Sequence, residues 1–312
     1  MRIVITGALG HIGSRLIRKL PDSFPGVEIV MLDDLSTQRY ASLFNLPAHV
    51  NYRFIEADVL SADLDEVFRG AVAVVHLAAI TNAAGSFENA AQVEQVNFAG
   101  TERVARACQR AGAPLLFLST TSVYGTQNAV VDEACSAAEL QPQSPYAESK
   151  LRAEQMLQTL GREEGLRFVT CRFGTIFGPS PGMRFHTAVN KFIWQACLGH
   201  PLTVWSSALD QQRPYLDLED AARAIEFIIA RDRFDREIYN VLTLNATVGE
   251  IVETIRGCVP DLVVSMVDAR IMNQLSYEVS CAKFTALGFR FTGDLQQRVA
   301  ESVALLKGVR SW

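Results

Sequence analysis

A short apolar strand that runs straight into three spaced glycines and then a helix constrains this chain more than any other feature. Arg2 to Thr6 carries Ile3, Val4 and Ile5; Gly7-Ala8-Leu9-Gly10-His11-Ile12-Gly13 follows, and Ser14 to Leu20 reads as helical. The first glycine permits a turn that a side chain would obstruct, the second lets a pyrophosphate approach the backbone, and the third lets the helix pack close to the strand. The helix N-terminus then faces the phosphates. Spaced glycines also mark ordinary turns, so the pattern counts only in context.

The context is a second apolar strand, Val27 to Leu32, ending in Asp33 at the offset where a carboxylate accepts both ribose hydroxyls of a dinucleotide. A solvated turn residue is the alternative for Asp33. A third strand, Tyr52 to Glu56, leads to Ala57-Asp58-Val59, where Asp58 either caps the next turn or reaches an adenine edge. A helix from about Asp63 to Arg69 precedes the apolar strand Ala71 to Leu77, followed by Ala78-Ala79, small enough for a flat cofactor to approach the backbone. Strands that are apolar throughout and alternate with helices predict a parallel sheet covered on both faces.

From Val93 to Ala111 the apolar residues recur at helical spacing, with Asn97 the polar exception. The next strand, Leu115 to Leu118, opens into Ser119-Thr120-Thr121-Ser122-Val123-Tyr124-Gly125, hydroxyls at the strand end where open α/β sheets bind ligands. Some of these hydroxyls are expected only to satisfy turn backbone. Ser144-Pro145-Tyr146 starts a helix to about Leu160 with Lys150 one turn after Tyr146, on one face with Ala153 and Leu157. Seven Tyr and five Lys in 312 residues give a chance expectation of about 0.1 for such a Tyr-x-x-x-Lys pair. A core Tyr beside a Lys reaching for solvent is the alternative.

A sixth strand, Arg167 to Phe173, leads to Gly174-Thr175-Ile176-Phe177-Gly178-Pro179, after which the alternation of strand and helix breaks. The fold predicted is a Rossmann-type doubly wound parallel sheet, residues 1–174 and 212–244, with a smaller mixed α/β substrate domain, residues 175–211 and 245–312. His186 to Leu198, Glu219 to Ala230, Thr247 to about Gly257 and Leu295 to Leu306 are its further expected helices.

Composition narrows the partners. With 29 basic and 34 acidic residues the net charge is −5, and no basic block suggests a nucleic-acid surface. Six scattered cysteines without a Cys-x-x-Cys pair fit a reducing cytoplasm, and five histidines without ligand spacing predict no metal. A strand beginning at Arg2 leaves no room for a signal peptide, and no apolar run approaches membrane-spanning length.

Taken together, the blocks resemble the extended short-chain dehydrogenase/reductase family, in particular its NAD-dependent sugar-nucleotide epimerases and dehydratases. The likeness rests on Thr6 to Gly13, Ala57-Asp58-Val59, His76-Leu77-Ala78-Ala79, Ser119-Thr120 with Val123-Tyr124-Gly125, Tyr146-Ala147-Glu148-Ser149-Lys150, Phe177-Gly178-Pro179, Arg213 to Asp217 and Tyr239-Asn240-Val241. The resemblance implies that Tyr146 is the acid/base, that Lys150 holds the nicotinamide ribose and that Thr120 bonds the reacting oxygen. A free phenol titrates near ~10, and a nearby ammonium and an oxidised nicotinamide would both favour its phenolate.

On the same ground Gly7, Gly10, His11, Ile12, Gly13, Asp33, Asp58, Val59, Leu77, Ala78, Ala79 and Asn97 are expected to contact NAD, together with Tyr146 and Lys150. Thr81, Ser86, Thr120, Thr175, Arg213 and Arg270 are expected to contact a nucleotide-diphospho-sugar, the arginines through its diphosphate. Thr175 stands where the family often has Asn. Family dehydratases carry an acid pair after the Thr, and Thr121-Ser122 here disfavours dehydration. The expected reaction is redox-neutral epimerisation through a keto sugar, most simply at C4 as in a UDP-glucose 4-epimerase. A keto-sugar reductase and a non-catalytic dinucleotide sensor are the alternatives. The resemblance also implies a homodimer through a four-helix contact between the helices of Val93–Ala111 and Tyr146–Leu160.

Overall fold

The predicted alternation of strand and helix is realised in a computed structural model that describes residues 1–125, 130–267, 276–306 and 308–309. The first half comprises β1 (Arg2–Thr6), α1 (His11–Ser23), β2 (Glu28–Asp33), β3 (Asn51–Glu56), α2 (Leu64–Phe68) and β4 (Ala71–His76). There follow α3 (Ala90–Val93), a π-helical turn (Glu94–Ala99), α4 (Gly100–Ala111), β5 (Leu115–Thr120), β6 (Val130–Val131), α5 (Pro145–Glu163) and β7 (Phe168–Phe173). Next come β8 (Thr175–Phe177), α6 (Ala188–Cys197), β9 (Leu202–Trp205), β10 (Gln212–Asp217), α7 (Leu218–Ala230) and β11 (Ile238–Val241). The remaining elements are β12 (Leu244–Thr247), α8 (Val248–Cys258), β13 (Val264–Val267), β14 (Glu278–Val279), α9 (Ala282–Thr285) and α10 (Leu295–Leu306).

Seven strands form one parallel sheet in the order β11-β7-β5-β4-β1-β2-β3. The order reverses between β1 and β4, and ligands bind outside the carboxyl ends of the strands at such a switch point. The register aligns those ends: Thr6 lies beside both Leu32 and His76, and Thr120 beside Phe173. One apolar layer packs α1 and α7 on the sheet through Leu16, Ile17, Leu20, Ile225 and Ile228; the other packs α4 and α5 through Val104, Cys108, Ala153 and Leu157. At Gly174 the chain leaves the large sheet. β8 then pairs parallel to β10, which pairs antiparallel to β12, over a separate core containing Phe177, Phe192, Leu202, Tyr215 and Ile251. Between 212 and 244, β10 thus belongs to the small sheet and β11 to the large one.

Two local expectations are corrected. α1 does not stop at Leu20 but continues through Pro21 to Ser23. A proline deprives the carbonyl four residues back of its amide donor; that carbonyl is Ile17's, and the Tyr52 hydroxyl from β3 donates to it at 2.8 Å. Val93 to Ala111 is not one regular helix, because the π-helical turn interrupts it. Asn97, on that turn, accepts from the Ile80 amide at 2.8 Å and donates to the Ile80 carbonyl at 3.0 Å. π-turns inside helices commonly mark functional positions, and here the turn secures the loop that leaves β4. Among the described residues no helix is long and apolar enough to cross a membrane.

Candidate active site

A cleft of about 650 Å³ opens along the carboxyl edge of the large sheet and extends between it and the small one. Its floor is the glycine loop. Gly7 has φ +66°, and a Cβ there would stand 2.6 Å from the Ala78 nitrogen; one on Gly13 would stand 2.5 Å from the Ala8 carbonyl oxygen. Both contacts exclude any larger side chain, so the loop lies against the strand end and α1 lies against the loop. Gly10, which precedes α1, brings no side-chain cap to it, which leaves the first amides of the helix free for the cleft, as a pyrophosphate requires.

Asp33 is buried at the end of β2. Its carboxylate accepts from the Leu9 amide through Oδ2 and from the Leu35 amide through Oδ1, both at 3.0 Å. Burial raises its pKa, and these two amides and Arg39 act in the opposite direction. Asp58 accepts from the Leu60 amide at 2.9 Å, the capping half of the two roles expected of it, and Val59 is buried against Gly100. Leu77 and Ala79 line the cleft with His11 and Ile12, while Ala78 forms the surface on which Gly7 rests.

The catalytic candidates converge from two elements. Thr120 ends β5 and accepts from the Ser122 amide at 3.1 Å; its hydroxyl is also hydrogen-bonded to Tyr146, in the first turn of α5. Ser144 caps that helix by accepting from the Ala147 amide at 3.2 Å, and Pro145 occupies its first turn. One turn on, Lys150 is 3% exposed, donates to the Leu118 carbonyl at 2.8 Å and lies 4.7 Å from the centre of the Phe117 ring. Burial lowers its pKa to about 8, against the opposing charge of Glu154. Burial raises the Tyr146 pKa, and the Thr120 hydrogen bond and the positive charge of Arg184 lower it. Arg184 is thus a further cation acting on the phenol, beside the Lys150 that shares its helix face.

Beneath these groups lies a buried polar network. Arg172 of β7 makes a two-pronged ion pair with Glu154 of α5, including Nη2 to Oε2 at 2.7 Å, and donates to the Tyr124 hydroxyl at 2.9 Å. Tyr124 donates to Asn240 at 2.8 Å, and Ser119 donates to Glu154. Ser119 thus ties the wall of the cleft into this network, while Thr120 beside it bonds Tyr146.

Of the substrate candidates, Thr81, Thr175 and Arg213 line the cleft. Arg213 of β10 donates to the Gln211 side chain at 2.8 Å and lies 5.7 Å from the Tyr277 ring. Ser86 is fully buried, donates to the Ala83 carbonyl at 2.6 Å and supports the start of α5 through the Tyr146 amide. Asn97 is likewise buried, and it bonds Ser149 besides Ile80. Arg270 lies outside the described residues. Sequence reasoning missed Arg184, Lys191 and Trp205, which also line the cleft. None carries a motif signal; only the position of a cation shortly after Gly178-Pro179 could have drawn attention to Arg184.

A model of the NAD dependent epimerase/dehydratase family matches residues 3–241. A trifunctional UDP-glucose 4,6-dehydratase/UDP-4-keto-6-deoxy-D-glucose 3,5-epimerase/UDP-4-keto-L-rhamnose-reductase of Arabidopsis thaliana is 30% identical over 302 residues, covering 92% of this chain but 44% of that protein. The chain therefore spans less than half the length of that relative. A UDP-glucose 4-epimerase of Azospirillum brasilense is 33% identical over 240 residues, 72% of this chain and 66% of that one. The solved UDP-glucose 4-epimerase of Thermus thermophilus in complex with NAD superposes with a TM-score of 0.82 at 26% identity, covering 99% of both chains.

Proposed function

Because this chain belongs to the NAD dependent epimerase/dehydratase family, we propose that it is an NAD-dependent enzyme acting on a sugar nucleotide, a redox-neutral epimerase with C4 the carbon inverted. The observation that carries the reading is the lining of the cleft. Thr120, Tyr146, Lys150 and Arg213 face it together, and among its described lining residues there is no Asp or Glu. Elimination of water from a keto sugar calls for an acid beside the Tyr and Thr, and here those positions are Thr121 and Ser122. Thr121 donates to the Phe173 carbonyl at 3.3 Å.

The glycine loop, the uncapped start of α1 and the buried Asp33 fit a dinucleotide, and Lys150 would hold the hydroxyls of its nicotinamide ribose. NAD bound there supplies a hydride acceptor that becomes the donor for the return step. Tyr146 takes the proton of the sugar hydroxyl while Thr120 bonds the same oxygen, and Tyr146 gives that proton back when the opposite face has been presented. A hydroxyl serves as donor or acceptor in either direction, which a reversible reaction needs. Arg213 would hold the diphosphate while the sugar turns, in a cleft with room for the turn.

The test is an assay of purified protein with UDP-glucose and related sugar nucleotides, without added cofactor, reading epimer formation together with nicotinamide absorbance. Interconversion with no net absorbance change is expected. Product formed only in proportion to NADH consumed would replace this reading with a keto-sugar reductase.

We also propose, from the family resemblance, a homodimer through a four-helix contact between the helices of Val93–Ala111 and Tyr146–Leu160. Sedimentation of the purified protein tests that assembly.

A further inference from the structure

The segment from Gly178 to Arg184, between β8 and α6, lies directly on the glycine loop. His11 Nε2 donates to the Gly178 carbonyl at 2.7 Å, Ser180 Oγ donates to the His11 carbonyl at 2.9 Å, and the Gly182 amide donates to Ser14 Oγ at 3.0 Å. A Cβ on Gly182 would stand 2.3 Å from the Leu9 carbonyl oxygen and 2.5 Å from that of Gly10, so only glycine lets the segment come so close. Arg39, from the loop beyond β2, donates to the Gly182 carbonyl. This strap is therefore tied to the loop expected to cradle the pyrophosphate, although it belongs to the part of the chain that has already left the large sheet.

Arg184 ends the strap inside the cleft. Its guanidinium donates to Thr81 Oγ1, and Asn190 Nδ2 donates to its carbonyl at 3.0 Å. Asp33 and Tyr146 both act on it electrostatically. These two residues mark the adenosine end and the nicotinamide end of the dinucleotide site, and the pyrophosphate of a dinucleotide lies between its two ends. Arg184 lines the same cleft as Gly10 and His11, and its charge also acts on His11. Burial lowers the His11 pKa to about 4; its bond to Gly178 opposes this, and Arg39 and Arg184 add to it. The imidazole is thus neutral, and the positive charge at this point of the cleft is carried by guanidinium groups. Among the described residues no carboxylate lies within ion-pair distance of Arg184 or of Arg39. Two guanidinium groups held near each other, with Asp33 acting on both but in ion-pair contact with neither, are arranged for an anion that arrives with a ligand.

We propose that Arg184 is a phosphate ligand delivered by the Gly178–Arg184 strap, closing the open side of the dinucleotide site and clamping the NAD pyrophosphate against the start of α1. Amides then meet the phosphates from the helix and a guanidinium meets them from the strap. The inference rests on the NAD-dependent reading above. It adds a reason for the cofactor to stay bound, since the strap must lift before the dinucleotide can leave.

The test measures binding rather than turnover. Wild-type protein, Arg184→Gln, Arg184→Lys and Gly182→Ala are stripped of nucleotide and titrated with NAD, ADP and adenosine by calorimetry, and the NAD retained on purification is measured after denaturation. Arg184→Gln removes the charge and the planar fork and leaves a neutral polar side chain. It is expected to bind NAD and ADP roughly ten- to a hundred-fold more weakly, the scale of a charge-assisted hydrogen bond, and adenosine as before. Arg184→Lys should recover part of the loss, because an ammonium supplies charge without the planar fork. Gly182→Ala keeps the Arg184 side chain but displaces the strap that carries it, and should weaken NAD and ADP in the same pattern.

Unchanged affinity of Arg184→Gln for NAD and ADP overturns the inference, and so does a change confined to the Michaelis constant of the sugar nucleotide, which would assign the cation to the substrate. An equal loss for adenosine also overturns it, since that would report a general disturbance of the site. Wild-type protein that binds no NAD at all would bring down the functional reading itself, independently of Arg184.

Discussion

The Asp33 carboxylate accepts a 3.0 Å hydrogen bond from the amide of Leu9, so the acidic end of β2 and the glycine loop are held as one unit. The Leu35 amide fixes the other carboxylate oxygen, also at 3.0 Å. A carboxylate immobilised in this way can accept ribose hydroxyls and repels a ribose phosphate. NAD should therefore bind far more tightly than NADP. Asp33→Gly should narrow the preference, helped by Arg39, whose charge already acts on Asp33. Parallel titrations with the two cofactors measure it; comparable wild-type affinities would refute the prediction.

Tyr146→Phe should retain NAD and lose turnover. The ring keeps its packing, the glycine loop and Asp33 hold the dinucleotide elsewhere, and only proton transfer is removed, a contribution typically of ~10²–10⁴ in rate. Retained NAD with a collapsed turnover number is the expected outcome, checked by denaturing release and a steady-state assay. Loss of NAD would mean that the phenol serves mainly in binding.

Lys150 gives the reaction an alkaline limit. Its pKa is lowered to about 8, so it is charged below that pH and neutral above it. If the ammonium holds the ribose, activity should fall as pH rises through about 8. Glu154 acts to raise that pKa, so in Glu154→Gln the fall should move to lower pH. Profiles of kcat/KM against pH for the two proteins decide it, and coincident alkaline limbs would show that Lys150 is not the titrating group.

Arg213→Ala should raise the Michaelis constant more than it lowers the turnover number. A diphosphate contact remote from the reacting carbon is shared by ground and transition states and so contributes uniform binding. Steady-state kinetics separate the two parameters. A reduced turnover number at an unchanged Michaelis constant would give Arg213 a different job.

Arg172→Met leaves Glu154 buried without its partner; the two side chains are only 3% and 2% exposed. Breaking a buried pair in this way typically costs ~3–5 kcal/mol, because the desolvated carboxylate has lost its counter-charge. Urea denaturation should reveal a loss of that size. A variant as stable as wild type would show that water or a rearrangement compensates.

The part of the molecule legible from residues alone was the part written in short-range patterns. Continuous apolar strands between helices predicted the doubly wound sheet, spaced glycines predicted the loop, and an i to i+4 interval placed Tyr146 and Lys150 on one face of α5. The structure brings these two together with Thr120 in one cleft, as alignment of strand ends in a parallel sheet requires. Local rules were insufficient at Pro21, where helix continuation depends on a tyrosine from β3, and at Asn97, where a buried amide secures a distant loop through a π-turn. Only the three-dimensional fold ties Ser119 into a buried ion-pair network, packs Gly182 on the glycine loop, and brings the charge of Arg184 to bear on Tyr146. These relationships join residues far apart in the chain through burial and Coulomb forces, which leave no periodicity along a sequence and arise only when the fold removes the intervening water.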